Sequence, residues 1–332
     1  MDSLTQIVLG AAVGEAALGK KVGNKAALYG AIAGTIPDLD VITKYFVDTV
    51  TALEWHRGVT HSIVFAVFAA PLFGWLVSLW EKNASARQWS WLFFLGFLTH
   101  PLLDAHTTWG TQLFWPFDLR LAYKNIFVID PLYTLPFLLF LILALRRKRE
   151  DPKRRKYNNL GLWVSSTYLL LTLGLKGYTF LKFEKALNQQ GIAYTEIETK
   201  PAPLNTILWT ANIDTKDAFL IADYSLLDSK PIAFTAHPKN HELLGNYKDN
   251  LKVQRLIKIT KGWYTVTQDK NGVVYLNDLR FGVLSTDPSS TAYVFSFLIE
   301  GDKDQTVITE NRKTPSDGKE LLVNLWQRIK GN

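Results

Sequence analysis

The chain of 332 residues contains no cysteine. Disulfides, a thiolate nucleophile and a cysteine-held zinc are therefore excluded, and any metal would need nitrogen and oxygen ligands. A basic leader is lacking too. Asp2 and Ser3 stand where a signal peptide carries its positive charges, and no basic residue precedes Lys20, so no cleavable signal is expected. Long apolar runs are few. Six stretches, roughly 4–18, 26–42, 62–80, 89–104, 130–145 and 159–181, are apolar. A membrane helix needs about 20 such residues, so only the third and sixth are full-length candidates. The fifth is slightly short but strongly apolar. An excess of one charge over a folded domain is missing as well: residues 182–332 hold 19 basic and 18 acidic residues. No basic face for nucleic acid is expected there.

What charge there is sits in loops. The net charge is +7, and residues 146–156 alone carry eight basic and two acidic residues. Lys20, Lys21 and Lys25 follow the first apolar stretch, and Lys82 and Arg87 follow the third. Placing these loops in the cytoplasm puts 36–61, 104–129 and the part after 181 outside. The chain thus reads as two domains. Residues 1–181 predict a mainly α, membrane-embedded helical bundle, multi-pass. Residues 182–332 predict a soluble, extracytoplasmic β-rich (α+β) domain.

Within the first domain, Gly10, Ala11, Ala12 and Gly14, and Gly30, Ala31, Ala33 and Gly34, are small enough for two helices to approach closely. Glu15 lies inside the first stretch, either hydrogen-bonded to a neighbouring helix or supporting a site. Trp109, Phe114, Trp115 and Phe117 read as an interfacial aromatic belt. In the second domain, 205–213, 262–267, 272–276 and 292–299 have strand-like composition, and Asp269–Lys270–Asn271–Gly272 reads as a hairpin turn. An amphipathic helix is predicted over 317–330, with Leu321, Leu322, Leu325 and Ile329 on one face. His237 and His241 read as surface residues of a polar loop.

Four of the six histidines fall between positions 56 and 106. Three motifs hold them or accompany them: Pro37-Asp38-Leu39-Asp40, His56-Arg57-Gly58-Val59-Thr60-His61-Ser62, and His100-Pro101-Leu102-Leu103-Asp104-Ala105-His106. All three fall on one face of the bundle under the charge rule, which was not chosen for that purpose. His100 and Asp104 are one helical turn apart, on one face. Singly, each of these residues is as well read as a packing or capping group. Together, four imidazoles and three carboxylates beside apolar segments are costly without a shared partner. A divalent ion, zinc or manganese, provides one. Seven candidate ligands (Asp38, Asp40, His56, His61, His100, Asp104 and His106) exceed the four of a tetrahedral zinc, so one or two ions are expected. Asp104 and His106 are candidate catalytic groups, as is Arg57, a fork donor suited to phosphate. Thr60, Ser62 and Thr107 are candidate supporting groups.

The runs MDSLTQIVLGAAVGE, GAIAGTIPDLD, HRGVTHS and HPLLDAHTTWGTQ closely resemble the YdjM-type family of bacterial inner-membrane proteins, over roughly residues 1–180. That resemblance implies a membrane-bound, metal-dependent hydrolase. A weaker likeness, at the level of the His-x-x-x-Asp helix and a following His, is to the zinc-dependent phospholipase C and P1-nuclease group. By that analogy Asp38, His61, His100, Asp104 and His106 rank first as ligands, with Asp40 and His56 next. Many family members carry His where this chain has Gln6, so if that His is a ligand, one site here is either weakened or completed by the Gln6 carbonyl oxygen. The expected partners are the lipid bilayer and a phosphoester or lipid-linked substrate, with no nucleic acid. A metal-stabilised scaffold or regulatory protein without catalysis is the alternative.

Overall fold

The computed structural model describes residues 1–284, 292–301, 305–311 and 318–332. Two compact units are built from interleaved segments. Unit 1 takes Met1–Ile42, Trp55–Leu175 and Pro203–Thr206, and unit 2 takes Thr43–Glu54, Lys176–Ala202 and Ile207–Asn332. The helices in chain order are α1 (Ser3–Val22), α2 (Asn24–Thr35), α3 (Thr49–Trp55), α4 (Ile63–Ser78), α5 (Ala86–Asp104), α6 (Pro131–Leu145), α7 (Pro152–Gln189), α8 (Leu251–Thr260) and α9 (Gly318–Ile329).

Helix ends in unit 1 follow local chemistry. Asp2 caps α1 by accepting from the Thr5 amide at 3.1 Å, and Ser62 caps α4 from the Phe65 amide at 3.0 Å. Asp130 caps α6, which has Pro131 in its first turn. Each cap satisfies amides that the helix itself cannot. Helix α2 stops at Thr35, and the chain continues through Pro37 as a 3-10 segment, Ile36–Tyr45.

The close approach expected of the small residues is present. A Cβ on Gly10 would meet the Gly30 carbonyl, one on Gly14 the Ala26 carbonyl, and one on Gly34 the Gln6 carbonyl. Helices α4 and α5 approach closely at Gly74, where a Cβ would meet the Ser90 backbone, and also pack through rings, with Phe73 and Phe97 centroids 5.6 Å apart and Phe65 and Phe97 5.1 Å apart. The basic segments gather at one end of the unit. Lys21 donates to Gln88 at 2.6 Å, Lys25 pairs with Glu81 at 2.7 Å, and Arg149 donates to the Lys21 carbonyl at 3.1 Å. There Glu15 finds its partner on α7: Arg154 grips both its oxygens at 2.6 Å, buried. So one arginine of the basic loop is a structural charge inside the bundle.

The expected full-length spans are not found as single helices: among the described residues no single helix is long and apolar enough to cross a membrane, although the bent pair Thr49–His61 and Ile63–Ser78 meets both conditions together. Helix α4 has 16 residues, about 24 Å at 1.5 Å per residue. Helix α7 is long, but Lys176 and Lys182 interrupt its apolar run.

Unit 2 holds two antiparallel four-stranded meanders. The first runs β1 (Glu196–Pro201), β2 (Leu208–Asp214), β3 (Ala218–Ser225), β4 (Thr235–Pro238), and the second β5 (Tyr264–Gln268), β6 (Val274–Val283), β7 (Tyr293–Glu300), β8 (Val307–Glu310). The four strand-like segments fall on β2, β5, β6 and β7. The hairpin turn forms where expected, with Asp269 Oδ1 accepting the Asn271 and Val273 amides at 2.8 and 2.9 Å. Leu276 on β6 faces Phe297 on β7 in a core that includes Val50, Leu244, Val253 and Leu256. Helix α9 buries Ile329 beside Ala202 and Leu208 with Leu325 alongside, while Leu322 is exposed; residue 317, in the predicted helix, lies outside the described residues. Of the two histidines read as surface groups, one is buried and the other half-buried. His237 is on β4 and buried, where burial pushes its imidazole below the usual value. His241 stacks on Tyr264 at 4.0 Å and bonds its carbonyl at 2.9 Å. A polar neighbourhood in sequence hid a strand there.

The glycine contacts predict unequal costs. Gly30→Ala forces a methyl against the Gly10 carbonyl and is expected to destabilise by about 1–3 kcal/mol. Gly174→Ala, on α7 with nothing near its added carbon, should be neutral or stabilising by up to about 1 kcal/mol. Thermal midpoints in detergent check this; equal midpoints would contradict the packing account.

Candidate metal centre

Three short pieces of chain bring the site together in unit 1. The 3-10 segment after α2 presents Asp38 and Asp40. A second 3-10 turn, Val59–His61, presents His61. The last turn of α5 presents His100 and Asp104. The turn before His61 is tight: Arg57 adopts a left-handed backbone at φ 56°, uncommon for a non-glycine residue. It is fixed there because its amide donates to Asp40 Oδ2 at 2.7 Å and its carbonyl accepts the Gln112 amide at 3.0 Å.

One ligand atom each from Asp38, His61, His100 and Asp104 falls within 4.8 Å of the others. The His61 and His100 Nε2 atoms are 3.1 Å apart. Asp38 Oδ1 is 3.4 Å from each, and Asp104 Oδ2 is 3.4 Å from His61 Nε2 and 3.7 Å from His100 Nε2. A tetrahedron with bonds of about 2.0–2.1 Å has edges of about 3.3 Å. These separations are those of ligands around one small cation. The side chains of His61, His100 and Asp104 are fully buried, and only Asp38, 23% exposed, reaches the surface.

Hydrogen bonds behind the cluster set its chemistry. His100 Nδ1 lies 2.7 Å from the Gly34 carbonyl. A carbonyl only accepts, so Nδ1 carries the proton and Nε2 of the neutral ring keeps its lone pair. His61 Nδ1 lies 3.1 Å from Thr60 Oγ1 and 3.5 Å from Asp40 Oδ2, which turns its Nε2 inward in the same way. Asp104 Oδ1 accepts from Gln6 Nε2 at 2.9 Å and touches the Met1 nitrogen. Its Oδ2 is buried without a hydrogen-bond partner, with Arg57 Nε 3.0 Å away as an ion pair. A proton on His61 Nε2 would serve only the contacts made by that one atom, whereas a divalent ion would engage all four ligand atoms at once. The residues therefore fit a metal ion.

The other expected residues lie around this cluster. Asp40 stands behind His61, with Oδ1 3.0 Å from His56 Nδ1. His56 is half-buried at the rim, its ring 5.7 Å from Trp109. Arg57 donates from Nη1 to Thr107 Oγ1 at 2.8 Å. Thr60 and Thr107 are thus in supporting positions, and Ser62 both caps α4 and donates from Oγ to the Val59 carbonyl at 2.6 Å, in the turn that presents His61. His106 is not brought in. The chain turns away after Asp104, and His106 Nδ1 meets Asn125 Oδ1 at 2.9 Å, with Tyr123 packed on its ring. Burial holds its imidazole below the usual value. Gln6 enters through its amide nitrogen, not its carbonyl oxygen: it orients Asp104 in place of ligating. The Gly34 carbonyl was missed from sequence, although the glycine spacing that delivers it was visible.

A helical unit with a buried two-histidine, two-aspartate cluster able to hold a metal ion defines the class. Residues 1–180 match the family model of the YdjM inner membrane proteins, and the chain belongs to that family. It is 35% identical to the inner membrane protein YbcI of Escherichia coli (strain K12) over 99 residues, 30% of this chain and 57% of that protein. It is also 31% identical to the uncharacterized protein YfhP of Bacillus subtilis (strain 168) over 140 residues, 40% of this chain and 42% of that protein. The chain spans about half the length of these curated relatives. No solved structure matches it.

Purified protein is expected to carry one divalent ion per chain by elemental analysis. His100→Ala and Asp104→Asn should remove it, and His106→Ala should retain it. Loss of the ion in His106→Ala alone would contradict this ligand set.

Proposed function

We propose that the protein is a membrane-bound, metal-dependent hydrolase of phosphoester or lipid-linked substrates. The observation that carries this reading is the tetrahedral set of ligand atoms with one edge, at Asp38, open to the surface. Zinc suits two imidazoles and two carboxylates, with manganese next. Bound there, the ion supplies Lewis acidity toward water and an ester oxygen.

The chain's own residues would do the rest. Arg57 holds positive charge 3.0 Å from Asp104 Oδ2, on the flank where negative charge would develop. His56, backed by Asp40 at 3.0 Å and partly exposed, is placed to carry a proton at the rim. Its ring centre is 6.5 Å from that of His61.

Membership of an inner-membrane family supports placing unit 1 in the bilayer, as a multi-pass bundle of short and bent helices. Its outward apolar side chains support this too: Phe68 is 76% exposed, Trp163 72% and Leu170 69%, a surface that water disfavours. With the basic end of the unit on the cytoplasmic side, the cation site lies at the outer boundary, at lipid headgroup depth, and residues 182–332 are extracytoplasmic.

A second reading has its own support. Four protein ligands, three of them fully buried, also describe a closed structural site, and then the ion would only hold chain segments together. Cobalt-substituted protein separates the two. Hydrolysis predicts that phosphate perturbs the cobalt spectrum and that phosphoester lipids are turned over, with His56→Ala lowering turnover by about 10²-fold or more at unchanged metal content. A spectrum indifferent to phosphate, with no turnover, would favour the structural ion. A cysteine placed at Asn240 should react with impermeant thiol reagents from outside; labelling only after lysis would reverse the orientation.

A further inference from the structure

The segment between the two halves of the site belongs to the other unit. Asp38 and Asp40 precede it and His56, Arg57 and His61 follow it, yet Thr43–Glu54 is part of unit 2. Its contacts there are specific. Val50 is fully buried in the core with Leu244, Val253 and Leu256. Asp48 caps α3, accepting the Val50 and Thr51 amides at 3.1 and 3.2 Å. Arg255, on α8, donates from Nε to Glu54 Oε1 at 2.9 Å and from Nη2 to Glu54 Oε2 at 2.6 Å and Thr51 Oγ1 at 2.9 Å. A two-point grip on a carboxylate and a third bond to a hydroxyl on the same helix fix orientation as well as distance.

At its base the same loop is closed by Asp40, whose oxygens meet His56 Nδ1 at 3.0 Å and the Arg57 amide at 2.7 Å. Glu54 is two residues before His56, the first residue of that closure. The loop is therefore held by Arg255 on its His56 side and closed at its base by Asp40. Its two strands of chain lead into Asp38 on one side and His61 on the other. Releasing the grip on Glu54 returns conformational freedom to the chain leading into His61, which the ion must then remove on binding.

We propose that Arg255 is a positioning residue for the cation site: by gripping Glu54 and Thr51 it sets the loop that carries Asp38 and His61, so that unit 2 contributes to metal affinity through the chain itself. This rests on the reading of the cluster as a cation site. Coupling of this kind is reciprocal, so metal loading should slow amide exchange in α3.

The test uses the full chain and Co²⁺, with affinity measured by chelator competition. Arg255→Ala is expected to bind Co²⁺ about fivefold more weakly, the scale of a partly exposed ion pair. The charge-swapped Glu54→Arg with Arg255→Glu should return to within about twofold of wild type. The control is Arg328→Ala. It removes a similar grip on Asp228, at 2.6 Å to each oxygen, in the same unit but away from the loop, and should stay within about twofold. Where Arg255→Ala does not fold, Glu54→Gln keeps the shape and weakens the pair, with the same expected direction. Unchanged affinity in Arg255→Ala, an equal loss in Arg328→Ala, or no recovery in the swap would overturn the proposal. A wild type that takes up no Co²⁺ overturns the cation reading and this one together; a wild type that binds beside an unaffected Arg255→Ala overturns this one alone.

Discussion

The His61 and His100 Nε2 atoms face each other across 3.1 Å, and much of unit 1 is arranged to hold them there. Two carboxylate oxygens crowd the same space, and like charges repel most strongly in a site shielded from water. The arrangement is nonetheless enforced from behind each ring. His100 is turned by the Gly34 carbonyl, which can approach because α1 and α2 meet through glycine. His61 is turned by Thr60 and Asp40, and Asp104 by Gln6. A divalent cation converts this opposition into four favourable contacts. The supporting bonds are of the kind that orient ligands and set their tautomers at metal sites.

The two ends of unit 1 are chemically opposite. Helices α1 and α5 run from one to the other: Gln6 and Asp104 lie at the acidic, imidazole-rich end, Lys21 and Gln88 at the basic one. At the basic end, the buried Glu15–Arg154 pair ties α1 to α7. Removing one partner of such a pair leaves a charge without compensation, which costs about 3–5 kcal/mol. This separation of charge between ends, with apolar side chains facing outward between them, is consistent with membership of an inner-membrane family.

Much of this was legible from residue order, and the rest was hidden for definable reasons. The three His/Asp motifs, the one-turn spacing of His100 and Asp104, and the glycine stripes are local patterns, and each appears in the fold as read. Local spacing could not say which of the seven ligand candidates point inward. Asp40 and His56 are diverted to each other, and His106 to Asn125, by contacts made by residues distant in sequence. Gln6 was noticed as a departure, yet whether it offers oxygen or nitrogen depends on where Asp104 stands. His237 lies on a short strand, β4, whose polar flanks resemble those of a loop. The insertion of Thr43–Glu54 into unit 2 left no local signature, since Val50 reads like any loop valine until its partners in α8 are known.

The centre of this account is one small cation held by two imidazoles and two carboxylates. X-ray absorption at the metal edge of the purified protein tests it most directly. The account predicts a four-coordinate first shell of nitrogen and oxygen at about 2.0–2.1 Å, with the outer scattering of two imidazole rings. Protein that binds no metal stoichiometrically, or a bound ion whose spectrum shows no imidazole, would contradict it.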